Sequence, residues 1–188
     1  MLLTMKSGLK VILLLVSALS TMALNAAPTS QPETKAPSIN PKLAVFAPYL
    51  GTWEADFAVP EGKSPMKDVS LWERALNGNA IRTLHSINDG MYGGESLIFF
   101  DNKKQQLVFY YFTTAEFFTQ GTIEVIDDNT FVAYEEVSGN DDGITKVKST
   151  STLLGNEMSI STSYFKKGQW TTPEKRTYKP SKLAVKFK

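Results

Sequence analysis

The chain has 188 residues, enough for one domain with a sizeable core, and an ordinary globular composition. A formal net charge of +1 gives no electrostatic case for nucleic acid or for an anionic membrane surface. The absence of cysteine excludes a disulfide framework and thiol chemistry, so stability must come from packing and sheet closure.

The N-terminus reads as a targeting segment. Lys6 and Lys10 flank an apolar run from Val11 to Val16, and small residues follow to Asn25-Ala26-Ala27. This is the order of a secretory signal peptide, and the run is shorter than the roughly 20 residues a membrane-spanning helix needs. Cleavage after Ala26 is expected, leaving 18 basic against 19 acidic residues and a secreted, periplasmic or extracellular protein with no membrane contact. Residues 27–42 are rich in proline and polar side chains and predict a disordered linker.

The stretch Leu43 to Leu50 is apolar and predicts one or two helical turns, with Pro48 against a longer helix. Gly51 permits a sharp change of direction. Trp53, Ala55, Phe57 and Val59 then alternate with polar residues, the period of a half-buried strand. From there to Tyr178 the chain predicts strand after strand, with turn signals at the roughly 8–12-residue spacing of a barrel or sandwich. The strands run 66–76, 80–87, 93–100, 106–113, 117–126, 130–137, 144–154, 158–165 and 169–178, with a tight hairpin at Asn77-Gly78. Short connections favour antiparallel neighbours, and about ten strands can close into an up-and-down barrel over residues 43–180, followed by a C-terminal tail at 181–188. A two-sheet sandwich is the alternative. The segments 97–100 and 107–112 are apolar on both faces. They predict either cover from the N-terminal helix or a loop, or an outer patch for a homodimer.

The sequence holds one histidine, His85, which shares a strand face with Ile81, Thr83 and Ile87. An inward histidine serves either as a satisfied core residue or as an acid–base group. Zinc would need several convergent ligands, which one histidine and no cysteine do not supply. Gly93-Gly94-Glu95-Ser96 lacks the last glycine of a nucleophile elbow, and Asp141-Asp142 lacks calcium-loop spacing. The distributed signal is stronger. Ser149, Ser151 and Leu153 share a face with Val147, while Lys146 and Lys148 take the other. Thr162 and Tyr164 go with Met158 and Ile160, and Glu174 and Arg176 with Trp170 and Tyr178. A lumen with apolar walls and a few orienting polar groups suits a small molecule. The candidate ligand-binding residues are Thr83, His85, Tyr111, Ser149, Ser151, Tyr164 and Arg176. No cofactor and no metal are expected, and the partner is a small hydrophobic ligand.

Gly51-Thr52-Trp53 after a short helix resembles the first strand of calycin barrels, the lipocalins, fatty-acid-binding proteins and nitrobindin-like proteins. That resemblance implies an arginine from the last strand lying across the tryptophan, here Arg176 on Trp53, with Gly51, Trp53 and Arg176 structural. Nitrobindin-like proteins bind haem through a histidine late in the chain, and residues 158–178 contain none. Trp72 to Gly78, Gly93 to Ser96 and Tyr110 to Thr114 resemble a group of secreted, lipocalin-like bacterial proteins, the DUF1579-like group. It implies a barrel with a ligand-binding lumen and no established activity. The alternatives to ligand binding are an enzyme using the same cavity, with His85 as acid–base and Arg176 or Tyr111 stabilising charge, and an interaction module with a filled barrel.

Overall fold

The computed structural model describes residues 38–59, 61–138 and 142–188. The expected signal peptide and residues 27–37 of the expected linker lie outside them. Among the described residues eleven strands follow a 3-10 helix, Pro41–Tyr49, and a short 3-10 turn, Leu76–Gly78, lies between the second and third: β1 (Gly51–Asp56), β2 (Lys67–Ala75), β3 (Ala80–Ile87), β4 (Tyr92–Asp101), β5 (Gln106–Thr113), β6 (Phe118–Asp127), β7 (Thr130–Glu136), β8 (Ile144–Leu154), β9 (Glu157–Lys166), β10 (Gln169–Trp170) and β11 (Glu174–Pro180). Each of β1 to β9 pairs antiparallel with the next, β11 joins β9 to β1, and the ring closes as a ten-strand antiparallel barrel. Closure leaves no long edge open to another chain.

Strand alternation sets which side chains enter the lumen. The tenth wall position shows what happens when alternation is broken. A single strand over 169–178 would put Trp170 on the same face as Arg176 and Tyr178. Instead β10 and β11 flank β9 in succession, separated at Thr171-Thr172-Pro173. Pro173 has no N–H for a ladder. The Thr171 side chain replaces part of the ladder, its hydroxyl oxygen accepting from the Tyr164 N–H at 3.0 Å. The break sends Trp170 outward onto Phe165, with ring centroids 5.3 Å apart, and keeps Arg176 and Tyr178 inside.

The helix begins at Pro41, ahead of Leu43. Asn40 caps the helix, its side-chain oxygen accepting from the Lys42 N–H at 3.0 Å, and Pro41 takes the first turn, where no N–H is needed. The Asn40 N–H donates to the Gly78 carbonyl at 2.9 Å, so residues 38–40 rest on the β2–β3 connection. That connection is a four-residue loop, Leu76–Asn79, rather than the two-residue hairpin expected at Asn77-Gly78, because Ala75 pairs with Ala80.

The helix plugs one end of the barrel. Leu43, Phe46 and Tyr49 are fully buried. Phe46 meets Phe131 edge-on at 5.1 Å, and Tyr49 lies 5.6 Å from Trp72 and 5.2 Å from Phe131. The Tyr49 hydroxyl donates to the Asn129 carbonyl at 2.6 Å, and burial pushes its pKa up to about 12. Gly51 then turns the chain into β1 with a φ of 131° that other residues rarely adopt. Trp53 locks the plug by donating its indole N–H to the Tyr49 carbonyl at 2.8 Å.

Trp53 does not stack with Arg176. The register sets Trp53 opposite Pro180, and Arg176 lies four residues along β11, roughly 13 Å away. There its guanidinium sits 3.7 Å over the ring of Phe57. After β11 the tail returns along the outside of the sheet. The Ser181 N–H donates to the Thr52 carbonyl, and the Lys186 N–H donates to the Ser86 hydroxyl at 3.1 Å. Among the described residues no helix covers the outer face of β4 to β6: Phe99 and Tyr110 stack there, and Phe112 and Phe118 are 53% and 58% exposed.

If the plug carries the closed end, Phe46→Ala should cost about 3–5 kcal/mol in urea unfolding, because it removes the ring and leaves a void. Ala44→Ser, at an exposed position of the same helix, should stay within about 0.5 kcal/mol.

Candidate functional site

The open part of the lumen lies beyond the plug. It is a cavity of about 290 Å³ whose floor includes Trp72, Phe131 and Met158. Its apolar wall includes Ile98, Phe109, Ile123 and Ile160, and its polar wall carries Asp68, Ser70, His85, Ser96, Tyr111 and Glu135. Of the seven residues expected to bind a ligand, Thr83, His85, Tyr111, Ser149, Ser151 and Arg176 line this cavity. Tyr164 follows Ile160 and Thr162 on the same strand face, above the cavity lining. Ser149 and Thr162 bond each other across β8 and β9 at 3.0 Å, so this pair is partly self-satisfied.

One continuous hydrogen-bonded chain crosses the lumen. Tyr178 donates its hydroxyl to Asp68 Oδ2 at 2.7 Å. The other Asp68 oxygen lies 3.1 Å from His85 Nδ1, and His85 Nε2 lies 2.7 Å from the Tyr111 hydroxyl. Tyr92 continues the chain, 3.2 Å from Tyr111. Asp68 is only 4% exposed, so both its oxygens need these partners. A carboxylate accepts and never donates, and this fixes the order of protons. With a neutral imidazole, Nδ1–H donates to Asp68 and Nε2 accepts from Tyr111. Tyr92 then donates to Tyr111. Every proton points toward Asp68, and the Tyr111 oxygen keeps a lone pair for a visitor in the lumen.

The local sequence makes this contact possible through Gly94. Gly94 pairs with His85 on β3 and follows the inward parity of Ser96 and Ile98. A Cβ there would overlap the Tyr111 ring and the Phe112 carbonyl. With bare backbone at that point, the Tyr111 ring folds over β4 to reach the imidazole, with centroids 5.7 Å apart.

Burial is the main cause of the shifted protonation equilibria. It pushes the Tyr111 phenol far up, helped by the bond to Tyr92, and pushes Tyr164 up in the same direction. Tyr178 rises through burial and the adjacent Asp68 charge, while Arg176 pulls the other way. All three phenols therefore stay protonated at neutral pH. Burial also raises the Glu135 carboxyl, against the lowering effect of its bond from the Thr119 hydroxyl.

Asp68, Glu135 and Tyr92 were absent from the sequence-derived set. Parity alone indicates the first two: Asp68 alternates with Trp72 on β2, and Glu135 with Phe131 on β7. Among the described residues no group of three or more histidine, cysteine or acidic side chains could hold a metal ion.

No family model and no curated protein matches the chain, which leaves the DUF1579-like resemblance on its motifs alone. Among solved structures the chain is similar to the crystal structure of Rv2717c from M. tuberculosis. The match covers 77% of this chain and 99% of that one, with a TM-score of 0.53 and 12% identity. At that identity the likeness shows the fold alone, a closed antiparallel β-barrel.

The Glu135 carboxyl yields a pH-dependent prediction. A raised folded pKa means the native state holds this proton longer than the unfolded chain does. Its contribution is most favourable below the unfolded carboxyl range and is lost as pH rises through the folded pKa. Glu135→Gln keeps the shape and an acceptor for Thr119. It should melt higher than wild type at neutral pH, with the gap closing as pH falls below the ordinary carboxylate range. A gap that does not change with pH would contradict a buried, strained carboxylate.

Proposed function

We propose that this is a secreted or periplasmic protein that takes a small apolar or amphipathic molecule into the barrel lumen. The observation that carries the reading is the cavity itself: about 290 Å³ of unfilled lumen with apolar walls and a preorganised polar chain ending at Tyr111. That is close to the small end of the roughly 300–1,000 Å³ common for ligand pockets. Apolar contact with Phe109, Ile123 and Ile160 supplies the affinity. Tyr111 orients the ligand, His85 and Asp68 hold Tyr111, and the hydroxyls of Thr83, Ser149 and Ser151 offer secondary contacts. Tyr164 and Arg176 serve nearer the rim. An unfilled lumen weighs against a filled-barrel interaction module.

One observation favours a second reading, an enzyme. Asp68 and His85 converge in the cavity as an oriented acid–base pair would. Because Tyr111 covers His85 Nε2, such chemistry would run through the Tyr111 hydroxyl, which burial keeps protonated and which would turn its proton from the imidazole to a developing oxyanion. Homodimerisation through the exposed aromatic stripe of β4 to β6 is compatible with either reading.

The test fills the lumen. Ser151 is 4% exposed and faces the cavity beside Phe131, with which it pairs across β7 and β8. Ser151→Trp should abolish calorimetric binding of indole, used as a small apolar probe, while far-ultraviolet circular dichroism stays that of the wild type. Ala133→Trp, on the neighbouring wall, is the second variant should overpacking at Ser151 prevent folding. Undiminished indole binding in a folded variant would put the ligand site elsewhere.

A further inference from the structure

The lumen holds two carboxylates, and the fold treats them differently. Asp68 is fully engaged: it accepts from Tyr178 and His85, and Arg176 stands close enough to Tyr178 to act on its phenol. The guanidinium is anchored on the face of Phe57 and acts on both Tyr178 and Tyr164, without an ion pair to Glu135. Glu135 has no such arrangement. It lines the cavity on β7, and among the described residues its hydrogen-bond partner is the Thr119 hydroxyl. Among the described residues no lysine, arginine or histidine forms an ion pair with it. On the outside of the sheet, by contrast, Glu54 pairs with Lys67, and Glu73 and Glu95 pair with Arg82. A half-buried carboxyl without a cation carries part of the cost of a buried charge, and that cost falls when a cation arrives.

We infer that the lumen selects ligands bearing a protonated amine, with the Glu135 carboxylate as counter-ion and the apolar body of the ligand against Phe109, Ile123 and Tyr111. The inference rests on the lumen-binding reading and adds the chemical class of the ligand to it. Two further features fit. The proton order of the network leaves the Tyr111 oxygen as an acceptor on the same side of the lumen, and an ammonium group brings several N–H donors to satisfy both oxygens. The electron-rich face of Tyr111, within electrostatic reach of Glu135, is also a favourable surface for a cation. Burial of Glu135 disfavours its own charge in the empty protein, and a bound ammonium reverses that preference.

Three probes of nearly the same shape test this by calorimetry on the full-length protein: indole, tryptamine and indole-3-acetate. Tryptamine should bind about ten-fold or more tightly than indole, the worth of one charged hydrogen-bonded contact, and indole-3-acetate more weakly than indole. Glu135→Gln should erase the advantage of tryptamine while leaving the affinity for indole within about two-fold, and Glu135→Asp should retain part of the advantage. Equal binding of indole and tryptamine by the wild type, tighter binding of indole-3-acetate, or an amine preference that survives Glu135→Gln would each overturn the assignment of Glu135 while leaving lumen binding intact. If none of the three binds the wild type, the lumen-binding reading falls and the amine assignment falls with it.

Discussion

Ten strands enclose more interior than their own inward side chains fill; about eight strands is the size at which they fill it. This barrel meets the constraint unevenly. The 3-10 helix, with Phe46 and Tyr49 packed on Trp72 and Phe131, occupies one end. The opposite end is left with inward residues too short or too polar to meet across the gap, and the cavity is what remains. The plug is held by specific bonds as well as by area. Trp53 anchors the last helical carbonyl, and Tyr49 reaches the β6–β7 turn through its hydroxyl. The place of the site in the fold therefore follows from which end is plugged.

Within that space, a single buried carboxylate organises the polar wall. Asp68 is acceptor-only, so it orients Tyr178 and His85, and His85 in turn orients Tyr111. The residues come from four strands, β2, β3, β5 and β11, and are brought together by register rather than by sequence proximity. Gly94 matters as much as any side chain in this arrangement, since it leaves the space through which Tyr111 reaches the imidazole. Such a chain is rigid and fully bonded internally, and it presents one well-defined hydroxyl to the lumen. That is a property of recognition sites, where orientation comes from few polar groups and affinity from apolar walls.

Much of this was legible in the sequence because the period of a strand is two and most turns carried clear signals. His85, Ser149 and Ser151 enter the lumen as alternation requires, and Tyr111 does so although both faces of its strand are apolar. Legibility failed where the chain departs from a regular strand. Pro173 resets the parity between Trp170 and Arg176, and the Asn77-Gly78 turn is wider than a two-residue hairpin because the ladder ends at Ala75 and Ala80. The pairing of Arg176 with Trp53 failed for a different reason. It depends on the relative register of β1 and β11, strands joined only by closure of the ring, and no local pattern encodes that offset. Asp68 and Glu135 were readable by parity, but a charged residue on an inward face is easily assigned to solvent unless its strand neighbours are weighed with it. The partners of each could come only from the three-dimensional register.

The central claim is that a small molecule in the lumen meets the Tyr111–His85–Asp68 chain. Because the sequence contains one histidine, nitrogen-15 spectra of the imidazole report on that chain without ambiguity. Recorded above the ordinary histidine range, the free protein should show a proton on Nδ1 and a hydrogen-bonded, unprotonated Nε2. Saturation with indole should shift the Nε2 resonance while leaving Nδ1 in place, because the ligand acts on Tyr111 and Asp68 does not move. A spectrum unchanged by saturating ligand, or a free protein with its proton on Nε2, would contradict the account.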